Sequence, residues 1–264
     1  LEPITTYDGY TINYQYSPVE DAKATVIFSH GFVEYSAHYS KLASQLNAYG
    51  FNVFKYDLRG HGRTTAPLGD LEAYEDFALD LNECVQWVKD KDSTLPIYTM
   101  GFSMGGMITA LYGILYPYEV SGQILLGAGL SIASQFNDVT DDEISVLKFL
   151  EMMGTTGDGG IRQLIAMDSP YVIKKTTRRF LVESLVKAPT FIQENYAMYQ
   201  LPVLLIHGQQ DPIITYKGSQ KFYDEIASDD KEILIYPEYE HDLLRIPDAP
   251  KIIAVIAEWI NRHL

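Results

Sequence analysis

Apolar residues fall along this chain in two alternating rhythms. ATVIFS from Ala24, FNVFKYD from Phe51, PIYTMG from Pro96, GQILLGA from Gly122, PVLLIHG from Pro202 and EILIYP from Glu232 are short apolar runs. Runs of that length predict strands covered on both faces. Between them apolar positions recur every three or four residues, as helices require. Tyr39, Leu42, Ala43 and Leu46 form one such set, with Gly50 placed to end the helix. Tyr74, Phe77, Leu81, Val85 and Val88 form a second, and Met107, Leu111, Ile114 and Leu115 a third. YKGSQKFYDEIA and PKIIAVIAEWINRHL supply the last two. Strands alternating with helices imply right-handed crossovers, hence an α/β fold with a mostly parallel central sheet and helices on both faces.

Two stretches break the alternation. TTY-DG-YTINYQY alternates around Asp8 and Gly9, a turn pair, and predicts an antiparallel hairpin. From Ser131 to Tyr199 no sheet strand is predicted; DDEISVLKFLEMM and KKTTRRFLVESLV read as helices separated by glycine-rich GTTGDGG. The expected organisation is a core of residues 1–130 and 200–264 with a helical cap, 131–199, inserted between its strands. Gly154, Gly157, Gly159 and Gly160 suggest a hinge or mobile tip in that cap, with a rigid multi-glycine turn as the alternative.

The strand ending PIYTM and the helix starting MITALY meet at GFSMG, which places Ser103 on the corner between two glycines. G-x-S-x-G in that setting is a nucleophile elbow, with the serine exposed at the carboxyl end of a strand and a helix amino end aimed at it. A serine nucleophile needs a base oriented by an acid. Asp211 follows PVLLI, and His241 follows EILIYP; both lie past strand carboxyl ends, in the chain order that this architecture uses. Glu238, Glu240 and Asp242 are rival carboxylates beside His241. The backbone amides of Met104 and of Phe32, in the loop HGFVE, are the expected oxyanion donors, with Gly31 letting the chain pass close. His30, His61 and His207 stand beside glycines and read as structural.

Bulk properties narrow the choice. A net charge of −15 over 264 residues argues against nucleic-acid partners and anionic membrane surfaces. Cys84 is the single cysteine and sits on a core-facing helical position, so no intrachain disulfide forms. The first residues lack a signal-peptide pattern and no 18-residue apolar run occurs, so no integral membrane segment is expected and a cytoplasmic location is the default, as a monomer or homodimer. No zinc or nucleotide motif is present, which predicts neither metal nor cofactor. KKTTRR, from Lys174 to Arg179, reads as a solvated helix face.

HGFVEYSAHYSKLA, YDLRGHGRT, GFSMGG, LPVLLIHGQQDPI and YPEYEHDLL together resemble the monoacylglycerol lipases, serine hydrolases of the α/β-hydrolase fold, over nearly the whole chain. The resemblance implies a Ser103, Asp211 and His241 triad, an oxyanion hole at Phe32 and Met104, and a polar head-group pocket near Glu34. Phe102 and His38 stand where the family commonly has His and Arg, so the substrate-binding positions Gly31, Glu34, His38 and Phe102 are altered at two places. The expected substrate is a monoacylglycerol or similar single-chain lipid ester; Ile144, Leu147, Phe149, Leu150 and Leu164 are candidates either to line the acyl channel or to pack the cap on the sheet. The alternatives are a short-chain carboxylesterase or lysophospholipase, a different reaction on the same scaffold (peptidase, carbon–carbon bond hydrolase or cofactor-free perhydrolysis), and a non-catalytic binding protein of the same fold.

Overall fold

The computed structural model describes residues 2–167 and 169–264. Its seven-stranded sheet runs β11-β10-β7-β6-β4-β5-β3. The strands are β3 (Tyr14–Ser17), β4 (Ala24–Ser29), β5 (Phe51–Tyr56), β6 (Ile97–Phe102), β7 (Gly122–Leu126), β10 (Val203–Gly208) and β11 (Lys231–Tyr236). All neighbours are parallel except the edge pair, where Tyr14 lies opposite Tyr56 in antiparallel register. The expected amino-terminal hairpin is shorter than its alternation suggested. β1 (Ile4–Thr5) pairs with β2 (Thr11–Ile12), and after Asn13 the chain leaves to join the sheet edge as β3.

Successive side chains of a strand point to opposite faces, and each face has its own core. Ile27 packs on the face covered by α2 (Glu75–Lys91) and α3 (Met104–Leu115); its neighbours Val26 and Phe28 pack on the face covered by α1 (Ser40–Ala48) and α9 (Ala249–Arg262). α8 (Lys217–Glu225) joins the first layer through Phe222. Side chains this deeply buried contribute about 1.5–3 kcal/mol each relative to exposure, which holds the strand ends at the site rigid.

Between β7 and β10 lie α4 (Val146–Met152), α5 (Gly159–Ala166), α6 (Arg178–Val182), a π-helical turn (Glu183–Lys187) and α7 (Ala188–Glu194). The two expected helices are interrupted. β8 (Glu143–Ser145) and β9 (Lys175–Thr177) form an antiparallel ribbon in which Ile144 faces Thr176. Each strand ends at an extended residue whose hydroxyl caps the next helix: Ser145 accepts from the Lys148 amide, and Thr177 from that of Phe180. The ribbon is tied to the core where the Thr177 amide donates to the Gly69 carbonyl, 2.9 Å away. Lys174 donates to the Ile165 and Met167 carbonyls, and Arg179 pairs with Asp70, so these cations of KKTTRR act as tethers.

Candidate active site

Ser103 occupies the turn between β6 and α3 with φ +57°, in the left-handed region that L-residues rarely adopt. Its amide donates to the Leu126 carbonyl at 2.8 Å, which fixes the corner. The flanking glycines are sterically required. A Cβ on Gly101 would collide with the Gly105 carbonyl, and one on Gly105 with the Ser29 carbonyl.

His241 Nδ1–H donates to Asp211 Oδ2 at 2.6 Å, leaving Nε2 to accept the Ser103 hydroxyl at 2.9 Å. The Asp211 side chain is fully buried, and its other oxygen accepts the amides of Ile213 and Ile214, each at 2.8 Å. His207 lies between two acceptors, Asp211 and the Ile214 carbonyl, so its Nε2 carries the proton while Nδ1 accepts from Ser219. Burial opposes the charge on Asp211, yet the His241 charge and these hydrogen bonds hold its carboxyl well below the usual range. Burial likewise opposes charging His241, and the Asp211 carboxylate outweighs it, so the imidazole lies above its ordinary value. The Phe102 ring packs on His241 with centroids 4.9 Å apart. Glu238 and Glu240 take no part in this chain of hydrogen bonds.

The loop after β4 lies against the serine: a Cβ on Gly31 would stand 3.3 Å from Ser103 Cβ. Met104 is the first residue of α3, so its amide is among those a helix leaves unpaired. Among the described residues the Phe32 amide makes no hydrogen bond either. His30 pins this loop by donating to the Gly31 carbonyl and accepting from the Leu58 amide. Burial, aided by His30, pushes His61 down to about 3, and its neutral ring packs edge-on against Phe32. The thiol of Cys84 is buried and pushed up, as expected of a core cysteine.

Glu34 lines the pocket, but both its oxygens are engaged. One accepts from the Gly31 amide and the Tyr39 hydroxyl, the other from Arg245 Nη2 at 2.5 Å. Burial alone would raise Glu34; Arg245 and these hydrogen bonds bring it below the usual carboxylate value. His38 stands outside the pocket lining, its ring tilted against Tyr35 with centroids 4.2 Å apart and both ring nitrogens unpartnered among the described residues. The guanidinium beside Glu34 therefore comes from Arg245, four residues after the histidine, which sequence reasoning missed. Arg245 Nε also donates to Asp242 at 2.6 Å.

An apolar wall extends from the serine, made by Met107, Phe149, Ile161, Leu164, Leu185 and Ile213. Of the expected channel residues, Phe149 and Leu164 line it; Ile144 and Leu150 are buried in packing, and Leu147 is 59% exposed. Leu185 belongs to the π-helical turn, which periodicity does not reveal.

A nucleophile elbow, a His–Asp pair in hydrogen-bond reach and two free amides describe a serine hydrolase. The serine aminopeptidase S33 family model matches residues 20–248. The chain belongs to this family. It is 27% identical to a monoacylglycerol lipase of Mycolicibacterium smegmatis over 97% of this chain and 95% of that protein. It is also 27% identical to the monoglyceride lipase of Saccharomyces cerevisiae, over 97% of this chain and 92% of the relative. In three dimensions it resembles a thermostable carboxyl esterase from Bacillus coagulans solved in complex with glycerol. The TM-score is 0.84, with 23% identity, 98% of this chain and 97% of that one covered. That likeness establishes the α/β-hydrolase fold. Among the described residues no helix is long and apolar enough to cross a membrane.

Proposed function

We propose that this protein hydrolyses carboxylic esters of single-chain lipids, monoacylglycerols first among them, through an acyl-enzyme. In this reading Ser103 attacks the ester carbonyl while His241 takes its proton. The Phe32 and Met104 amides then hold the oxyanion, and His241 returns the proton to the departing alcohol. Asp211 orients the imidazole and stabilises its cation. Water repeats the sequence to release the acid. Residues 131–199 act as the cap, supplying much of the apolar wall for the acyl chain. A cytoplasmic monomer or homodimer suits a chain with one buried cysteine.

The observation that carries the reading is the Ser103–His241–Asp211 hydrogen-bond chain at the junction of an apolar wall and a polar end. That polar end also bears on the alternatives. Glu34, Asp158 and Asp242 line this end together with one guanidinium, Arg245, leaving an acidic balance that disfavours the phosphate of a lysophospholipid and tolerates a neutral polyol.

The test is kcat/KM on monoacylglycerols from short to long acyl chains, the matching methyl esters, a lysophospholipid and amino-acid nitroanilides, with Ser103→Ala as blank. Preference for long-chain monoacylglycerols over their methyl esters supports the reading. Equal turnover of methyl esters makes the protein a general esterase, and cleavage of nitroanilides alone makes it a peptidase.

A further inference from the structure

The glycine-rich stretch of the cap is docked on the loop that carries the base. Asp158 is buried and bridges two backbones. Its Oδ1 accepts the Ile161 amide at 2.9 Å, capping α5, and its Oδ2 accepts the amide of Asp242, the residue after His241, also at 2.9 Å. Two glycines make this approach possible. Gly157 has φ +82°, and a Cβ on Gly160 would collide with the Asp242 carboxylate. A segment whose composition suggests a free tip is thus in direct contact with the catalytic loop.

We propose that Asp158 is a positioning residue for His241, holding the catalytic loop in place only while the cap is closed. This rests on His241 being the base. The capping bond alone needs one carboxylate oxygen; the second reaches 84 positions along the chain to an amide adjacent to the imidazole. Opening of the cap breaks that bond and frees the loop at its backbone, so a closed cap and an aligned base occur together. Charges facing His241 come from Asp211 on the loop after β10, Asp158 on the cap, and Asp242 on its own loop. Arg245, shared by Asp242 and Glu34, offsets part of them. Asp158 therefore acts on the base through the loop backbone and through its field. A mere helix cap does neither.

Three variants of the full chain separate these roles. Asp158→Asn keeps a good capping side chain but loses the charge and one acceptor. Asp158→Ala loses both bonds, and Gly160→Ala leaves Asp158 intact while pushing the cap off Asp242. NMR titration of the His241 ring and exchange of the Asp242 amide need no substrate; turnover of p-nitrophenyl butyrate adds the kinetic readout. The expected result is a His241 titration displaced to lower pH in Asp158→Asn and Asp158→Ala, with faster Asp242 exchange in Asp158→Ala. In Asp158→Ala and Gly160→Ala, kcat is expected to fall by about tenfold with KM changed far less. An unchanged His241 titration, Asp242 exchange and kcat overturn the proposal, even where the melting temperature drops, since loss of a cap alone produces that. Failure of the wild type to hydrolyse any ester strikes the functional reading instead, and the two NMR readouts still decide the role of Asp158.

Discussion

Glu34 and Arg245 meet at 2.5 Å across 211 positions of sequence, joining the loop that carries the Phe32 amide to the loop that carries His241. The pair spans the two halves of the site. Arg245 also spreads over the Tyr39 ring, 5.4 Å from its centroid, and Tyr39 in turn donates to Glu34.

Removing one partner is expected to cost more than the pair is worth, because Glu34 would be left buried and uncompensated. The Arg245 side chain is 30% exposed, so water softens the loss. Arg245→Ala should destabilise the fold by about 2 kcal/mol, and Glu34→Gln by less, because an amide still serves the Gly31 and Tyr39 contacts. Urea unfolding of both single variants and the double variant measures the coupling. Strict additivity would show that the ion pair contributes nothing.

Replacing members of the proposed triad should act on kcat rather than KM. Ser103→Ala and His241→Ala are each expected to lower kcat by about 10⁴-fold or more, and Asp211→Asn by roughly 10⁴-fold, through loss of the imidazole orientation. The double variant Ser103→Ala, His241→Ala should be little worse than either alone. Fluorophosphonate labelling followed by mass mapping checks the first variant directly: label on the wild type at any residue other than Ser103 would sink the assignment.

The acid limb of kcat/KM should report His241. A general base must be neutral, and Asp211 stabilises the imidazolium against the cost of burial, so half-maximal activity should lie above the ordinary histidine value of 6.5. A limb centred below that value contradicts the assignment. Stability has its own pH dependence. Asp211 and Glu34 are held below their ordinary values of 3.8 and 4.5, so their contribution is complete above those values and is lost as pH falls through and below them. His241 has the opposite sign: its raised value contributes stability below the ordinary histidine range and loses it as pH rises past the folded value. Melting temperature against pH should therefore fall on the acid side of about pH 5, and Glu34→Gln should flatten part of that fall.

The apolar wall should set acyl-chain length. Ile161→Trp and Leu185→Trp place a large ring where Ile161 and Leu185 border the pocket. Each is expected to lower the ratio of kcat/KM for a long-chain ester to that for a butyrate ester by about tenfold or more. A ratio unchanged in both variants would mean the chain leaves the serine in another direction.

The segment 131–199 was only partly legible, for an identifiable reason. DDEISVLKFLEMM and KKTTRRFLVESLV carry helical spacing, yet both begin as strands, because Ile144 and Thr176 bury themselves by pairing with each other. The true helix starts were written in the chain as Ser145, Thr177 and Asp158, residue types that cap helices, each one position before a helix begins. Arg245 and the second bond of Asp158 left no such local signal. Their partners lie far away in sequence, and only the closed chain shows them.

What the sequence determined by itself is whatever depends on neighbours along the chain. Apolar runs and helical periods set the order of strands and helices, and the glycines around Ser103 set the elbow. The positions of Asp211 and His241 just past strand ends follow from the same local patterns, since a parallel sheet brings its strand carboxyl ends to one edge. The tertiary structure decided which polar groups face each other across that edge. It brought Arg245 rather than His38 to Glu34, turned Phe102 onto His241, and seated the glycine-rich stretch against Asp242. Such pairings are settled by the packing of long-range elements and by the need of buried charges and amides for partners, and neither requirement is recorded at any single position of the chain.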